Sequence, residues 1–172
     1  MKRTKVILFA ISAGGVKKHI LDIAAGLDRS QFELIGVFPD QQILDTVVAS
    51  PAFKYSEVFD GLGLRYHVLE IPRLINIKAE IQGFTGLVRI LRQERPDVLH
   101  CHSSLAGAIG RAAGLVCRVP RIIYTPHLMY YGWQRGIRRS LFLFLEKALG
   151  RLTDRVILVS PTEYNEAVTT FG

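Results

Sequence analysis

Residues 97–127 narrow the possible architectures of this chain more than any other stretch. Asp97-Val-Leu-His-Cys-His102 reads as a short buried strand, and the segment opening at Ser103 as a helix of small residues. Arg121-Ile-Ile-Tyr-Thr125 reads as a second buried strand that stops at Pro126-His127. A strand, a helix and a second strand in this order form a crossover unit with parallel strands. The strand ends are marked by polar residues, at His100, His102 and Ser103 and again at Thr125 and His127. In an open parallel sheet those ends lie side by side, and ligands bind in the crevice outside them.

The same alternation runs through the rest of the chain. Lys5 to Ile11 is a continuous apolar run, as in a strand buried on both faces. It is broken at Ser12-Ala13-Gly14-Gly15, after which Val16, Ile20, Ile23, Ala24 and Leu27 form a helical stripe. Phe32 to Phe38 is a second strand, and Gln42 to Ala49 fits a helix. Residues 52–63 fit a short helix stopped by Gly61 and Gly63, and Arg65 to Ile71 a strand. A basic loop with Arg73 and Lys78 leads into a helix that runs to about Glu94. Gly136 to Leu152 reads as a helix apolar on nearly all sides, so it is either buried or touching lipid. Arg155 to Val159 is a last strand, and a helix from Pro161 stops at Gly172. The pattern predicts one domain over 1–172, an α/β doubly wound, mostly parallel sheet with helices on both faces.

Composition narrows the partners. The chain is 49% hydrophobic and 22% charged, which suits a packed domain rather than a disordered one. No apolar run approaches the ~20 residues that span a bilayer. The apolar run after Met1-Lys-Arg-Thr-Lys is short and lacks a processing site, so it reads as a strand rather than a secretion signal. Cys101 and Cys117 make no disulfide framework, and the expected compartment is the cytoplasm. A net charge of +7 favours nucleic acid, an anionic membrane surface or a phosphorylated ligand. Basic-aromatic interleaving and zinc-finger spacing are both missing, so nucleic acid is not expected.

Each candidate site has a plain structural reading beside it. Gly14-Gly15, between a strand and a helix, is either an ordinary turn or a place where backbone N–H groups meet an anion. His100 and His102 face the same way on their strand. A metal site with Cys101 and His127 would need one ligand from the opposite face, so no metal is expected. His100 reads as a core histidine bonded to backbone, which leaves His102 and Ser103 to face the crevice. His127 is either a solvated turn residue or a neutral imidazole able to donate, accept or act as a base. Gly107, Gly110 and Gly114 at helical spacing imply a close approach, either to the sheet or to a ligand. Trp133, Arg135, Arg138 and Arg139 form either a solvated segment or an interfacial anchor.

Four pieces together resemble the N-terminal domain of the GT-B-fold glycosyltransferases of family 4, of the capsular and exopolysaccharide type. They are Gly14-Gly15-Val16-Lys17-Lys18-His19, Arg95 through Gly107, Val119-Pro120 through His127, and Leu152 through Ser160. The resemblance implies one Rossmann-like half of a GT-B fold, with the C-terminal nucleotide-sugar-binding domain absent from these residues. It implies that Gly14 and Gly15 face the donor diphosphate and that His127 is catalytic at the acceptor end. Arg73, Lys78, His102 and Ser103 would then lie on the acceptor side, and Trp133, Arg135, Arg138 and Arg139 would face the membrane. It also implies retention of anomeric configuration, a nucleotide-sugar donor as substrate, and neither cofactor nor metal. Two residues depart from the pattern: Lys17 stands where Glu or Gln is common, and Leu128 where Gly usually follows the histidine.

The leading expectation is the acceptor-binding half of a glycosyltransferase for bacterial surface polysaccharide. It would act on a glycan or polyprenyl-phosphate-linked acceptor, with the donor-binding part in a missing domain or a separate chain. The isolated 172 residues are predicted inactive. The location would be cytoplasmic and peripheral on the inner membrane face. The alternative is a non-catalytic subunit that recruits membrane or acceptor. A nicotinamide-dependent oxidoreductase is disfavoured by the missing G-x-G-x-x-G.

Overall fold

The computed structural model describes residues 2–11, 15–39, 54–69, 77–127 and 135–171, leaving out the side chains of 77–79, 138, 170 and 171. The elements, in order, are β1 (Thr4–Ala10), α1 (Gly15–Gly26), β2 (Phe32–Phe38), α2 (Tyr55–Gly61), β3 (Arg65–Val68) and α3 (Ile77–Glu94). They continue with β4 (Val98–His102), α4 (Ser104–Val116), β5 (Arg121–Thr125), α5 (Gly136–Gly150), β6 (Arg155–Val156) and α6 (Pro161–Phe171). The six strands form one sheet in the order β3-β2-β1-β4-β5-β6, and every neighbouring pair is parallel. This is the Rossmann order, and the direction of winding reverses between β1 and β4.

Strand parity assigns the core to two layers. Ile7 and Phe9 of β1, Leu99 and Cys101 of β4 and Tyr124 of β5 pack with Leu87 and Leu91 of α3 and Ala106 and Ala113 of α4. Val6, Leu8 and Ala10 of β1 face the other way, onto Val16, Ile20 and Ala24 of α1 and Tyr55 and Phe59 of α2. Strands buried on both faces need apolar residues at every position, hence the unbroken runs in the sequence. Each fully buried Leu, Ile or Phe contributes about 1.5–3 kcal/mol.

Helix α4 lies unusually close to the sheet. A Cβ at Gly107 would run into the Tyr124 ring and one at Gly110 into Cys101 Sγ, while one at Gly114 would come within 2.9 Å of Ile122 Cδ1. The glycines therefore serve backbone-to-sheet packing, the first of the two readings above. A buried Arg111 ties α4 to its neighbours. Its Nε donates to the Gly107 carbonyl at 2.9 Å, and its Nη2 donates to Glu146 Oε2 of α5 at 2.8 Å.

At the opposite end of the strands, two aspartates repeat one device. Asp97, just before β4, accepts from the Lys5 N–H of β1 at 2.8 Å. Asp154, just before β6, accepts from the Ile122 N–H of β5 at 2.7 Å. Each carboxylate takes up a backbone donor at the start of the neighbouring strand.

Three expectations change. The last strand is only Arg155–Val156 rather than Arg155 to Val159, because its ladder to β5 stops at Tyr124–Val156. Lys78 sits in the first turn of α3 rather than in a loop. Strand β3 ends at Val68 rather than running to Ile71. For helix α5, read as either buried or touching lipid, Ile137, Leu141, Phe144 and Leu145 are exposed along one stripe. The helix expected over Gln42 to Ala49 lies outside the described residues.

Candidate active site

The register of β1, β4 and β5 determines which side chains meet at the crevice. Leu8 pairs with His100 and Ala10 with His102, so both imidazoles share the face covered by α1. Cys101 belongs to the opposite layer, as its strand parity requires. Thr125 pairs with His102 across β5, and its hydroxyl shares a 2.8 Å hydrogen bond with His100 Nε2. The core-histidine reading of His100 stands, but its partner is a side-chain hydroxyl and not the backbone.

Above these two rings sit His127, from the turn after β5, and His19, from the first part of α1. His102 Nδ1 lies 3.2 Å from His127 Nε2, so one ring donates and the other accepts. The His19 ring stands edge-on to those of His102 and His127, with centroids 5.4 and 5.1 Å away. His100 and His102 lie 4.0 Å apart, centroid to centroid. His102 is fully buried, while His19 and His127 are half-buried.

All four rings are held neutral. Burial, together with repulsion from His19 and His127, pushes His100 down to about 3. Burial and repulsion from His100, His127 and His19 hold His102 well below the ordinary histidine value. Burial and His19 bring His127 down to about 4. Burial also lowers His19, against an opposing pull from Asp22 and Glu163. Four neutral imidazoles can accept and donate hydrogen bonds and can act as bases, but they do not hold an anion by charge.

Backbone geometry fixes the rim. Ser103 and His127 both have left-handed φ, 72° and 59°, a conformation that costs a non-glycine residue about 1–3 kcal/mol. The Ser103 N–H donates to the Thr125 carbonyl at 3.0 Å, linking the two strand ends. The Ser103 carbonyl accepts from Gly107 N–H at 2.7 Å, and its side chain makes no capping bond.

The structure thus brings His102, Ser103 and His127 together as the sequence suggests. Gly15 begins α1 at the same end of the sheet, with open space around it. Gly14, Arg73 and Trp133 lie outside the described residues, as does the side chain of Arg138. Arg135 and Arg139 are exposed at the start of α5. Sequence reasoning did not assign His19 to the site. Its signal was present in the sheet order, since the helix after β1 covers the strand that carries His100 and His102.

Comparison with known proteins agrees with this architecture. Residues 14–172 match the glycosyl transferase 4-like domain, and the chain belongs to that family. It is 22% identical over 140 residues to the UDP-Gal:alpha-D-GlcNAc-diphosphoundecaprenol alpha-1,3-galactosyltransferase of Escherichia coli, covering 81% of this chain and 36% of that protein. It is 31% identical over 98 residues to an uncharacterized 41.2 kDa protein in the cps region of Klebsiella pneumoniae, covering 54% of this chain and 27% of that one. The fold matches Anabaena Alr3699/HepE, solved with UDP and glucose, at a TM-score of 0.69 and 13% identity over 99% of this chain and 42% of that one. It also matches MurG of Acinetobacter baumannii, at a TM-score of 0.63 and 13% identity over 92% of this chain and 42% of that one. The described residues are one Rossmann-like half of a GT-B fold. This chain spans roughly a third of the length of the curated relatives it matches.

Proposed function

We propose that this chain is the acceptor-binding half of a retaining glycosyltransferase that builds bacterial surface polysaccharide. The observation that carries the reading is the neutral His102–His127 pair at the carboxyl ends of β4 and β5, beside the point where the sheet reverses. A neutral imidazole there accepts a hydrogen bond from an acceptor hydroxyl and takes up its proton, while His102 fixes the orientation of the His127 ring. The acceptor is a glycan or a polyprenyl-phosphate-linked sugar, in keeping with the diphosphoundecaprenol-linked GlcNAc in the name of the Escherichia coli relative. Gly14 and Gly15 face the diphosphate of the nucleotide sugar, and Arg73, Lys78 and Ser103 line the acceptor side. A second domain or a separate chain supplies the rest of the donor site, and the transfer calls on no metal ion. In this reading the 172 residues alone transfer nothing.

The test is the whole protein with His127→Ala. Loss of a positioned base costs about 10²–10⁴ in turnover, and circular dichroism and melting temperature should be unchanged. Turnover within threefold of the parent would reduce His127 to a turn residue.

One observation favours a second reading. Exposed Ile137, Leu141, Phe144 and Leu145 share α5 and its start with Arg135 and Arg139, the pattern of a helix lying on an anionic membrane. No helix among the described residues is long and apolar enough to cross a membrane. A cytoplasmic, membrane-peripheral location suits both readings. A whole protein that binds vesicles and acceptor but transfers no sugar under any donor would make the chain a recruiting subunit.

A further inference from the structure

We propose that Arg92, Arg95 and Arg118 form a binding site for a phosphate or diphosphate group, at the end of the sheet away from the histidines. All three line one cavity of about 520 Å³ between the ends of α3 and α4, beside Asp97 and Cys117. Its size is that of a small-molecule site. Strand β4 is five residues long, so about 17 Å of strand separates this cavity from the crevice.

The charges around the cavity are unbalanced. Arg65, Arg111 and Arg121 each reach a carboxylate oxygen within 3.2 Å. Arg92, Arg95 and Arg118 pair with no carboxylate among the described residues, although they share one cavity. Asp97, the acid in its wall, already accepts from the Lys5 N–H at 2.8 Å. Three cations brought together repel one another, and a doubly charged anion among them removes that cost. The guanidinium fork meets phosphate oxygens two at a time, so phosphate is the anion it fits.

The backbone points to the same residues. Helices α3 and α4 are each followed by an arginine in the left-handed region, φ 48° at Arg95 and 53° at Arg118. The Arg118 N–H donates to the Leu115 carbonyl at 3.0 Å, and the Val119 N–H to the Gly114 carbonyl at 2.9 Å. The Arg95 N–H donates to the Leu91 carbonyl at 2.9 Å. In these helix stops glycine is the usual and least strained residue. Both helices thus carry a cation where the fold alone favours glycine, and both cations line one cavity. Such strain gathers at ligand sites.

A second cavity, of about 440 Å³, shares Arg92 and is walled by Phe84, Val88 and Val116. The phosphate therefore comes either from a free phosphate ester or from a lipid headgroup whose chain enters that groove. The site is independent of the sugar-transfer reading.

The experiment titrates inorganic pyrophosphate into the whole protein by calorimetry. Arg95→Gly/Arg118→Gly relieves both left-handed positions, so its melting temperature should be no lower than the parent's. Its affinity should nevertheless fall by about tenfold or more, because charge-assisted hydrogen bonds are lost. Arg135/Arg139→Gln removes the same charge elsewhere on the surface and should leave affinity unchanged. Binding at the Gly14-Gly15 turn is common to all these proteins and drops out of the comparison. Should the glycine variant fold poorly, Arg95→Gln/Arg118→Gln replaces it. Unaltered affinity in the glycine variant would overturn the proposal. So would an equal loss in the Arg135/Arg139 variant, or no saturable binding at millimolar pyrophosphate. Flotation with phosphatidylcholine vesicles containing phosphatidic acid then identifies the source. Recovery that the glycine variant loses assigns the site to a lipid headgroup, and equal recovery assigns it to a free phosphate ester. None of these arginines belongs to the crevice, so failure leaves the transfer reading standing.

Discussion

The Arg111 guanidinium lies 3.9 Å from the centre of the Tyr124 ring, and both side chains reach the carboxylate of Glu146. A cation with 1% of its side chain exposed is thus neutralised by one acid and covered by one aromatic face. The arrangement joins α4, β5 and α5, three elements whose contacts would otherwise be mostly apolar.

Removing Arg111 should therefore be expensive. Arg111→Ala leaves Glu146 without its cation and opens a cavity under α5, so a loss of about 3–5 kcal/mol is expected, as for other broken buried pairs. Urea denaturation followed by circular dichroism measures it. A loss below 1 kcal/mol would mean that Glu146 finds water as readily as it found Arg111.

Gly107→Ala tests the seating of α4. In an exposed helix this substitution gains up to about 1 kcal/mol. Here the added methyl meets the Tyr124 ring, which Arg111 and Glu146 hold in place. Overpacking of this kind costs about 1–3 kcal/mol, so a lower melting temperature is expected in place of a higher one.

Acid should weaken the fold through Glu94. Burial alone would raise its pKa, but hydrogen bonds from His67 and Lys5 and the charges of Arg65 and Lys5 hold it below the ordinary glutamate value. A group whose pKa is lower folded than unfolded contributes its full stabilisation above the unfolded value. That contribution is lost as pH falls through the folded value. Glu94→Gln should flatten the acid limb of a stability-against-pH curve below about pH 5, while lowering stability at neutral pH. An unchanged acid limb would show that other carboxylates carry the effect.

The exposed stripe on α5 predicts salt-sensitive binding to anionic vesicles. Each arginine near such a surface is worth about 1 kcal/mol, so Arg135/Arg138/Arg139→Ala together should weaken binding on the order of a hundredfold. Flotation with neutral and anionic vesicles separates the cases. Equal binding to both, untouched by the substitutions, would remove the membrane from the account of this face.

The sheet was legible in the sequence because its four central strands, β2, β1, β4 and β5, are largely buried on both sides. Phe32–Phe38 and Arg121–Thr125 stand where their apolar runs put them. The runs also mislead in one place: Ile157 to Val159 are as apolar as the earlier strands, yet no ladder continues past Val156 at the sheet edge. Whether the apolar stripe of α5 has a neighbour to cover it is a tertiary fact that periodicity does not contain. At the site, His102 and His127 could be read from their positions at strand ends, whereas His19 could not. A histidine on a helix looks like any polar surface residue until the strand order sets that helix over its partners.

The absence of side chains at Gly107, Gly110 and Gly114 has a mechanical consequence. A helix resting on bare backbone has no flexible cushion on which to slide, and rolling it would drive its Cα atoms into Tyr124, Cys101 and Ile122. The first turn of α4, with Ser103 ahead of it, is thereby clamped to the ends of β4 and β5. This side of the crevice is a fixed jaw, held in shape by contact between helix backbone and sheet.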